Sequence, residues 1–277
     1  MAELYLVSTP IGNLADVTLR ALDTLRRVDL VLAEDTRRTR ILLDHHGIGT
    51  PLSSLHEHNE ARRVESVLER LADGGTVALV SDAGTPLVSD PGSRLVRSVV
   101  EAGHPVVPIP GPSAVLAALV ASGLPGERFT FLGFAPRKGA ERQRTLERVS
   151  ASEETCVLFE APPRLVRLLT DLAEACGEDR EACVAREVTK MHEEFRRGVL
   201  RELADHYQAH PPRGEVTLVV APSAPRGVED PDIEASARAL LAEGLRPSQA
   251  AQALSQRLGI SRNHAYRVVQ SLAGRDP

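Results

Sequence analysis

Four loops rich in glycine and proline could bind a small ligand, because each follows a short apolar run typical of a β-strand. They comprise residues 8–13, 81–86 with 89–92, 108–114 and 160–164. Each loop alone is better explained as a plain turn, but open α/β sheets bind ligands at the carboxyl ends of their strands. Four such loops at successive strand ends therefore favour a ligand cleft. None of them matches GxGxxG or a Walker loop, so the motifs that usually indicate a dehydrogenase or an NTPase are missing from these loops.

Two of these loops carry groups suited to a ligand with both an ammonium and a carboxylate. Asp82, beside Gly84, can accept a hydrogen bond from a ligand hydroxyl or ammonium, or it can cap a turn. Gly111 would let backbone amides approach a ligand closely. Ser113 with Ala114 begins a predicted helix, whose N-terminal dipole favours a carboxylate.

The loops need a sheet to position them, and the sequence predicts one. Apolar or β-branched runs alternate with helical patterns over the first two thirds of the chain, which predicts an α/β fold with a largely parallel sheet. Strands are predicted at residues 4–8, 30–33, 76–81 and 105–109. Helices are predicted near residues 18–27, 36–46, 60–73, 91–101 and 111–122.

A glycine- and proline-rich stretch at residues 123–126 marks a domain boundary. A second series of strands follows it, at residues 129–134, 156–160, 183–188, 195–200 and 215–221. A helix-like segment at residues 201–210 joins the last two strands. This arrangement predicts a mixed sheet for the second domain.

The chain after Ala221 reads as a linker followed by helices only, at residues 232–243, 248–258 and 261–272. Gly259 ends one helix and Ser261 caps the next, which is typical of a helix-turn-helix motif. Arg262 and Arg267 lie on or near the face that such motifs offer to nucleic acid. The predicted domains are residues 1–122, 123–226 and 227–277.

The charge balance argues against indiscriminate binding to nucleic acid. The 277 residues carry 33 Lys plus Arg against 38 Asp plus Glu, a net charge of −5. The average hides an asymmetry, since residues 244–277 carry +4 and the remainder carries −9. Docking on RNA at chosen basic stretches is compatible with such a distribution.

The sequence also predicts the cellular compartment of the protein. The apolar runs are too short for a membrane span, and the N-terminal residues lack the features of a signal peptide. Three cysteines without CxxC spacing suit a reducing compartment and argue against a structural zinc site. We therefore expect a cytoplasmic protein with no membrane association and no metal.

Seven segments, in this order and at these spacings, closely resemble the ribosomal RNA small-subunit methyltransferase I family: STPIGN, EDTRRTR, SDAGTPLVSDPG, PIPGPSA, FLGFAPRKG, FEAPPR and AREVTKMHEE. The family belongs to the wider tetrapyrrole methylase (class III methyltransferase) fold, and the resemblance covers roughly the whole chain. It implies two α/β domains with S-adenosylmethionine in the cleft between them. It also implies a homodimer that methylates the 2′-oxygen of a cytidine ribose in the decoding region of 16S rRNA.

Carried over residue by residue, the resemblance implies contacts with S-adenosylmethionine at Ile11, Asp82, Thr85, Ser113, Ala114 and Phe159. Ala83 and Gly111, in the same loops, complete the candidate cofactor-binding residues. In tetrapyrrole enzymes of this fold the second loop usually reads Gly-Asp-Pro, whereas this chain has Ser-Asp-Ala at residues 81–83. The difference agrees with the RNA branch of the fold.

Methyl transfer to a ribose hydroxyl needs positioning and removal of the hydroxyl proton. Glu34 and Asp35 follow a predicted strand, and His56 with Glu57 lies further along the chain; these are the candidate bases. The same residues also fit a capped helix start at Asp35 or Thr36. For Glu34 the structural and catalytic interpretations carry equal weight.

Two basic stretches are candidate contacts for the RNA backbone. Arg37 and Arg38 could clamp phosphates or lie on a solvated helix face. Arg137 and Lys138 open a short helix of net charge +3 that continues through Arg142, Arg144 and Arg148. An exposed amphipathic helix explains the second stretch almost as well. The charged run at residues 187–194 receives no catalytic role.

Two alternative functions remain open at this point. A tetrapyrrole methyltransferase is favoured by the fold alone, and the helix-turn-helix tail argues against it. A non-enzymatic regulator would use the tail to bind nucleic acid and the α/β part to sense S-adenosylmethionine. Such a regulator would bind S-adenosylmethionine without turnover.

Overall fold

A computed structural model describes residues 2–56, 59–223, 230–258 and 262–273. The chain forms two compact units, Met1–Pro222 and Ser223–Pro277. The first unit contains two β-sheets flanked by helices, and the second contains helices. The predicted α/β class with a small helical C-terminal part is confirmed. The predicted domain boundary between residues 122 and 123 lies between the two sheets of the first unit. This boundary and the one predicted between residues 226 and 227 stay predictions.

The first sheet is wholly parallel and has the strand order β3-β2-β4-β1-β5. Its strands are β1 (Leu4–Val7), β2 (Leu30–Ala33), β3 (Leu52–Ser54), β4 (Val77–Val80) and β5 (Val106–Ile109). Its helices are α1 (Leu19–Arg27), α2 (Thr36–His45), α3 (Glu60–Ala72), α4 (Ser93–Glu101) and α5 (Ala114–Ser122). The structure adds β3 to the predicted strands, because three residues are too few to show a pattern.

Both faces of this sheet are covered, which explains why its strands are almost continuously apolar. Val7, Val31 and Val80 face a core built with α1 and α2. Leu32 and Leu79 face the opposite core, built with α3 and α4. All five strands point the same way, so their carboxyl ends meet at one edge of the sheet.

The second sheet is mixed, as predicted, with the order β6-β7-β10-β8-β9. Its strands are β6 (Phe129–Phe134), β7 (Thr155–Glu160), β8 (Glu181–Arg186), β9 (Glu194–Val199) and β10 (Val216–Val220). Only β6 and β7 pair in parallel; the other neighbours are antiparallel. β8 ends before the predicted residue 188, because Glu187 adopts a left-handed backbone conformation with φ 51°.

Helices cover both faces of the second sheet as well. One face packs against α6 (Gly139–Ala151), α7 (Leu165–Cys176) and α8 (Leu200–Ala209). Of these, α7 is not among the predicted helices. The other face packs against α5, whose Val115, Ala118 and Leu119 are buried with Val157 and Val219. Helix α5 therefore follows the first sheet in sequence but completes the core of the second.

The second unit contains the three predicted helices, α9 (Asp230–Ala242), α10 (Pro247–Leu258) and α11 (Arg262–Ala273). Ile233, Ala237, Leu254, Ala265 and Val269 form its small core. Gly259 and Ser261, the predicted turn, lie outside the described residues. Across the described part of the chain, no helix combines the length and apolarity that a membrane span requires.

Candidate active site

A cleft of about 300 Å³ opens in the first unit between the carboxyl ends of the first sheet and the β7–β10 pair of the second. The residues that line it from the first sheet and its loops are Ile11, Arg38, Asp82, Ala83, Val88, Ser89, Asp90 and Ala114. Those that line it from the second sheet are Phe134, Phe159, Glu160, Ala161, Pro162, Gly214, Glu215, Val216 and Thr217.

Hydrogen bonds join the first two loops into one structure. The backbone of Thr9 and the backbone of Gly84 exchange N–H···O bonds of 2.9 and 3.0 Å. The Thr9 hydroxyl also donates to the carbonyl of Ser81 at 3.1 Å. The positions of Ile11 and Asp82, one in each loop, are thereby fixed relative to each other.

The third loop is held against the first at a close backbone approach. A Cβ atom at Gly111 would lie 2.9 Å from Cβ of Ser8, so only glycine fits there without a shift. The Ser8 hydroxyl donates to Thr85 Oγ1 at 3.2 Å, and Thr85 donates to the carbonyl of Pro112 at 3.4 Å. Gly111 and Thr85 join the three loops and are not among the residues that line the cleft.

The N-terminus of α5 lies at the cleft. Ser113 caps this helix by accepting a hydrogen bond from the N–H of Leu116 at 3.4 Å. Ala114, the first helical residue, lines the cleft. The positive end of the helix dipole therefore favours an anionic group at this place.

Four carboxylates, Glu34, Asp35, Asp82 and Asp90, follow the adjacent strands β2 and β4. Asp82 accepts a hydrogen bond from the N–H of Asp35 at 2.9 Å and lies 3.9 Å from Nε of Arg38. Burial, and then the negative charges of Glu34 and Asp82, raise the pKa of Asp90 to about 6, although a hydrogen bond from Ser81 opposes the shift.

Asp35, a predicted base, caps helix α2. It accepts a hydrogen bond from the N–H of Arg37 at 2.9 Å and forms an ion pair with the Arg37 guanidinium at 2.7 Å. These hydrogen bonds lower the pKa of Asp35 to about 2. A carboxylate with so low a pKa is a weak base near neutral pH.

His56 follows β3, the edge strand beside β2. Its backbone N–H donates to the side chain of Asn59 at 2.9 Å. Its side chain is not among those that line the cleft. Glu57 lies outside the described residues. The catalytic assignments of Glu34, Asp35 and His56 stay predictions.

The second side of the cleft is aromatic. Phe159 packs against Phe131 with ring centroids 4.9 Å apart and against Phe134 at 5.4 Å. The neighbouring Glu160 side chain is fully buried, forms an ion pair with Arg164 and accepts a hydrogen bond from the N–H of Ala161 at 2.7 Å. This side therefore offers an apolar surface whose one buried charge is neutralised.

The charged run at residues 187–194 connects the two sides of the cleft. Lys190 Nζ lies 2.9 Å from Glu187 Oε1 and 3.1 Å from Glu215 Oε2, and this lysine lowers the pKa of Glu187. Thr189 Oγ1 accepts a hydrogen bond from the N–H of Asn13 at 3.1 Å. The segment ties the first loop to the start of β10.

The predicted RNA contacts occupy different environments. Arg38 lines the cleft, whereas Arg37 is exposed in its ion pair with Asp35. Arg137 and Lys138 are exposed ahead of α6, and Arg267 is exposed on α11. The side chain of Arg262 lies outside the described part of the structure.

For one residue of the predicted basic stretch, Arg142, the predicted contact with RNA is wrong. Arg142 is 6% exposed and donates to Asp171 and to the carbonyl of Pro136 at 2.7 and 2.8 Å. The helix turns this arginine inward, where it neutralises Asp171, so it does not contribute to a basic surface.

Five of the eight predicted cofactor residues line the cleft, namely Ile11, Asp82, Ala83, Ala114 and Phe159. Sequence reasoning did not single out Phe134, Asp90 or residues 214–217. For Asp90 a signal existed, since it lies in the second half of the SDAGTPLVSDPG segment. Within the described residues, no group of three or more His, Cys, Asp or Glu side chains is placed to hold a metal.

The profile of the family described as Tetrapyrrole (Corrin/Porphyrin) Methylases matches residues 3–204. Among solved structures, uroporphyrin-III C-methyltransferase from Thermus thermophilus, complexed with S-adenosyl homocysteine, superposes with a TM-score of 0.58 and 19% identity. The match covers 79% of this chain and 97% of that one. At such identity it supports the fold.

Curated relatives are much more similar in sequence. The ribosomal RNA small subunit methyltransferase I of Mesorhizobium japonicum is 49% identical over 265 residues, 95% of this chain and 90% of the relative. The protein of the same name from Thermotoga maritima is 48% identical over 221 residues, 80% of this chain and 99% of the relative. The chain belongs to the ribosomal RNA small subunit methyltransferase I family, within the tetrapyrrole methylases, as its seven motifs predict.

Proposed function

We propose that this protein transfers a methyl group from S-adenosylmethionine to the 2′-oxygen of a cytidine ribose in the decoding region of 16S rRNA. The observation that carries the proposal is the cleft at the carboxyl ends of the first sheet, which gathers Ile11, Asp82, Ala83 and Ala114 opposite Phe159. The name carried by relatives at 48–49% identity supports the same reaction class and an rRNA substrate.

The residues of the cleft fit S-adenosylmethionine, which supplies an electrophilic methyl group on a sulfonium when bound. The N-terminus of α5 at Ala114 suits the carboxylate of the methionine part. Asp82 suits an ammonium or a ribose hydroxyl. Phe134 and Phe159 offer apolar rings, which also attract a cationic centre placed near their faces.

Contacts with RNA are proposed for the basic side chains at and beyond the cleft. Arg38 lines the cleft, where a guanidinium can pair with a phosphate beside the reacting ribose. Arg37, Arg137 and Lys138 are exposed on the same unit. Arg262 and Arg267 of the second unit would add contacts with the RNA backbone in the small ribosomal subunit. We place the protein in the cytoplasm because ribosomal subunits are its proposed substrate.

We also propose a homodimer. Leu116 and Val120 are one helical turn apart on α5 and are 50% and 80% exposed. Exposed apolar pairs on one helix face suit a second copy of the chain. Sedimentation should give a dimer for the wild type and a monomer for Val120→Asp. The matched Val100→Asp variant, on the exposed face of α4, should stay dimeric.

Methylation assays test the proposed reaction. The purified protein should transfer a labelled methyl group to immature small ribosomal subunits and none to uroporphyrinogen, with the label mapped to a cytidine 2′-oxygen by mass spectrometry. Label on the tetrapyrrole and none on rRNA would support the alternative that the fold alone favours. Binding of S-adenosylmethionine without any transfer would support the non-enzymatic regulator.

A further inference from the structure

Four carboxylates line the cleft, and three of them are engaged by cations. Asp82 lies near Arg38, Glu160 pairs with Arg164, and Glu215 pairs with Lys190. Asp90 is the fourth. Among the residues that the structure describes, Asp90 has no cationic side chain within 4.0 Å.

An unusual backbone holds Asp90 at the cleft. Leu87 and Ser89 adopt left-handed conformations with φ of 72° and 70°, which side chains other than glycine rarely take. Leu87 packs against the core of the first sheet. Ser89 Oγ lies 3.6 Å from the position of a Cβ atom at Gly133, on β6 across the cleft. Backbone strain of this kind persists where the surroundings enforce it, and it concentrates at functional sites.

We propose that Asp90 is the general base of the methyl transfer, an assignment that rests on the proposed function. The Asp90 carboxylate takes the proton of the ribose 2′-hydroxyl while an electron pair of that oxygen forms the bond to the methyl carbon. The carbon–sulfur bond breaks, and its electron pair stays on sulfur, which neutralises the sulfonium. Asp90 then releases the proton to water.

The charges around Asp90 suit this role. Glu34 follows β2 and Asp82 follows β4, and both raise the pKa of Asp90. The other charged groups of the cleft are Arg38 and, from the second sheet, the ion-paired Glu160 and Glu215. A base with a pKa of about 6 is ionised at neutral pH yet accepts a proton more readily than an ordinary aspartate.

The decisive variant is Asp90→Asn, assayed on small ribosomal subunits across a pH range. The wild-type kcat should rise through a pKa near 6. In Asp90→Asn we expect kcat to fall about 10²- to 10⁴-fold and this acid limb to vanish, while the Kd for S-adenosylmethionine stays within about twofold. Glu34→Gln should keep the limb and move it to lower pH, because a neighbouring negative charge is lost.

Several outcomes would overturn the assignment. An Asp90→Asn variant that retains the acid limb, or a Glu34→Gln variant that loses it, would transfer the role to another carboxylate. A wild type that binds S-adenosylmethionine but never methylates rRNA would instead refute the proposed function.

Thermal unfolding provides a check on folding. Because the charged Asp90 is disfavoured in the native state, Asp90→Asn should raise Tm by about 2–4 °C at pH 8, and the difference should vanish below about pH 4.

Discussion

The two sides of the cleft are built on different principles. The first sheet is parallel, so the loops after all of its strands meet at one edge and bring polar groups together. The second sheet is mixed, so the end of β7 lies beside the start of β10, with Glu160 opposite Val216. That side contributes an aromatic face and carboxylates already paired with Arg164 and Lys190. We therefore expect the first side to bind the cofactor and take the proton, and the second side to give the cleft its shape and stability.

The largest expected effect is on the stability of the fold and comes from the second side of the cleft. Arg164→Met would leave the fully buried Glu160 carboxylate without its cation. We expect the free energy of unfolding to fall by about 3 kcal/mol, since an uncompensated buried charge is strongly destabilising. Urea denaturation measures this. The matched control is Arg167→Met, in the first turn of α7 just after Arg164 and 67% exposed, with an expected loss below about 1 kcal/mol. Equal losses in the two variants would contradict the structural role of the Glu160 pair.

The next effect concerns the first side of the cleft. Asp82→Ala should raise the Kd for S-adenosylmethionine about 10- to 100-fold, because a charge-assisted hydrogen bond contributes roughly 1.5–3 kcal/mol. Calorimetric titration measures the affinity. Asp44→Ala, which removes an exposed carboxylate from α2, should leave it unchanged. An unchanged affinity in Asp82→Ala would remove this residue from the site.

A smaller effect is expected on the aromatic side. Phe159→Leu keeps an apolar side chain but loses the ring that packs against Phe131 and Phe134. The Kd for S-adenosylmethionine should rise about threefold, which matches the roughly 0.5–1.5 kcal/mol that aromatic geometry adds beyond burial. Phe129→Leu, at the far end of β6, should have no effect on the titration. A loss as large as that in Asp82→Ala would contradict the division between the two sides.

The smallest effect on the cleft should come from deleting residues 228–277. The first unit has its own cores and contains the whole cleft, so the Kd for S-adenosylmethionine should change by less than about twofold. Methylation of small subunits should fall, because the deleted segment carries basic residues that would contact RNA. Undiminished methylation would leave the tail with a structural role only.

Much of the first side could be predicted from the sequence. Its strands are short apolar runs, three of which (β1, β4 and β5) are followed by loops marked by glycine and proline, and parallel pairing brings those loops to one edge. The positions of Asp82 and Ala114 follow from that pattern, whereas Ile11 is singled out by the family resemblance.

The remaining features depend on conformations and pairings that no local pattern records. Asp90 reaches the cleft through the left-handed backbone of Leu87 and Ser89. Residues 214–217 join the cleft because β10 pairs with β7 in a specific register. The inward turn of Arg142 depends on the position of Asp171 on another helix.

Helix α5 has a consequence for how the first unit unfolds. Its N-terminus belongs to a loop of the first sheet, while Val115, Ala118 and Leu119 fill the core of the second. A chain cut after residue 122 would expose those apolar side chains to water, and the second sheet would lose one of its covering layers. The second sheet has no complete core without this helix, and the loops of the first sheet hold the N-terminus of the helix, so the two sheets should melt in a single cooperative transition rather than as independent modules.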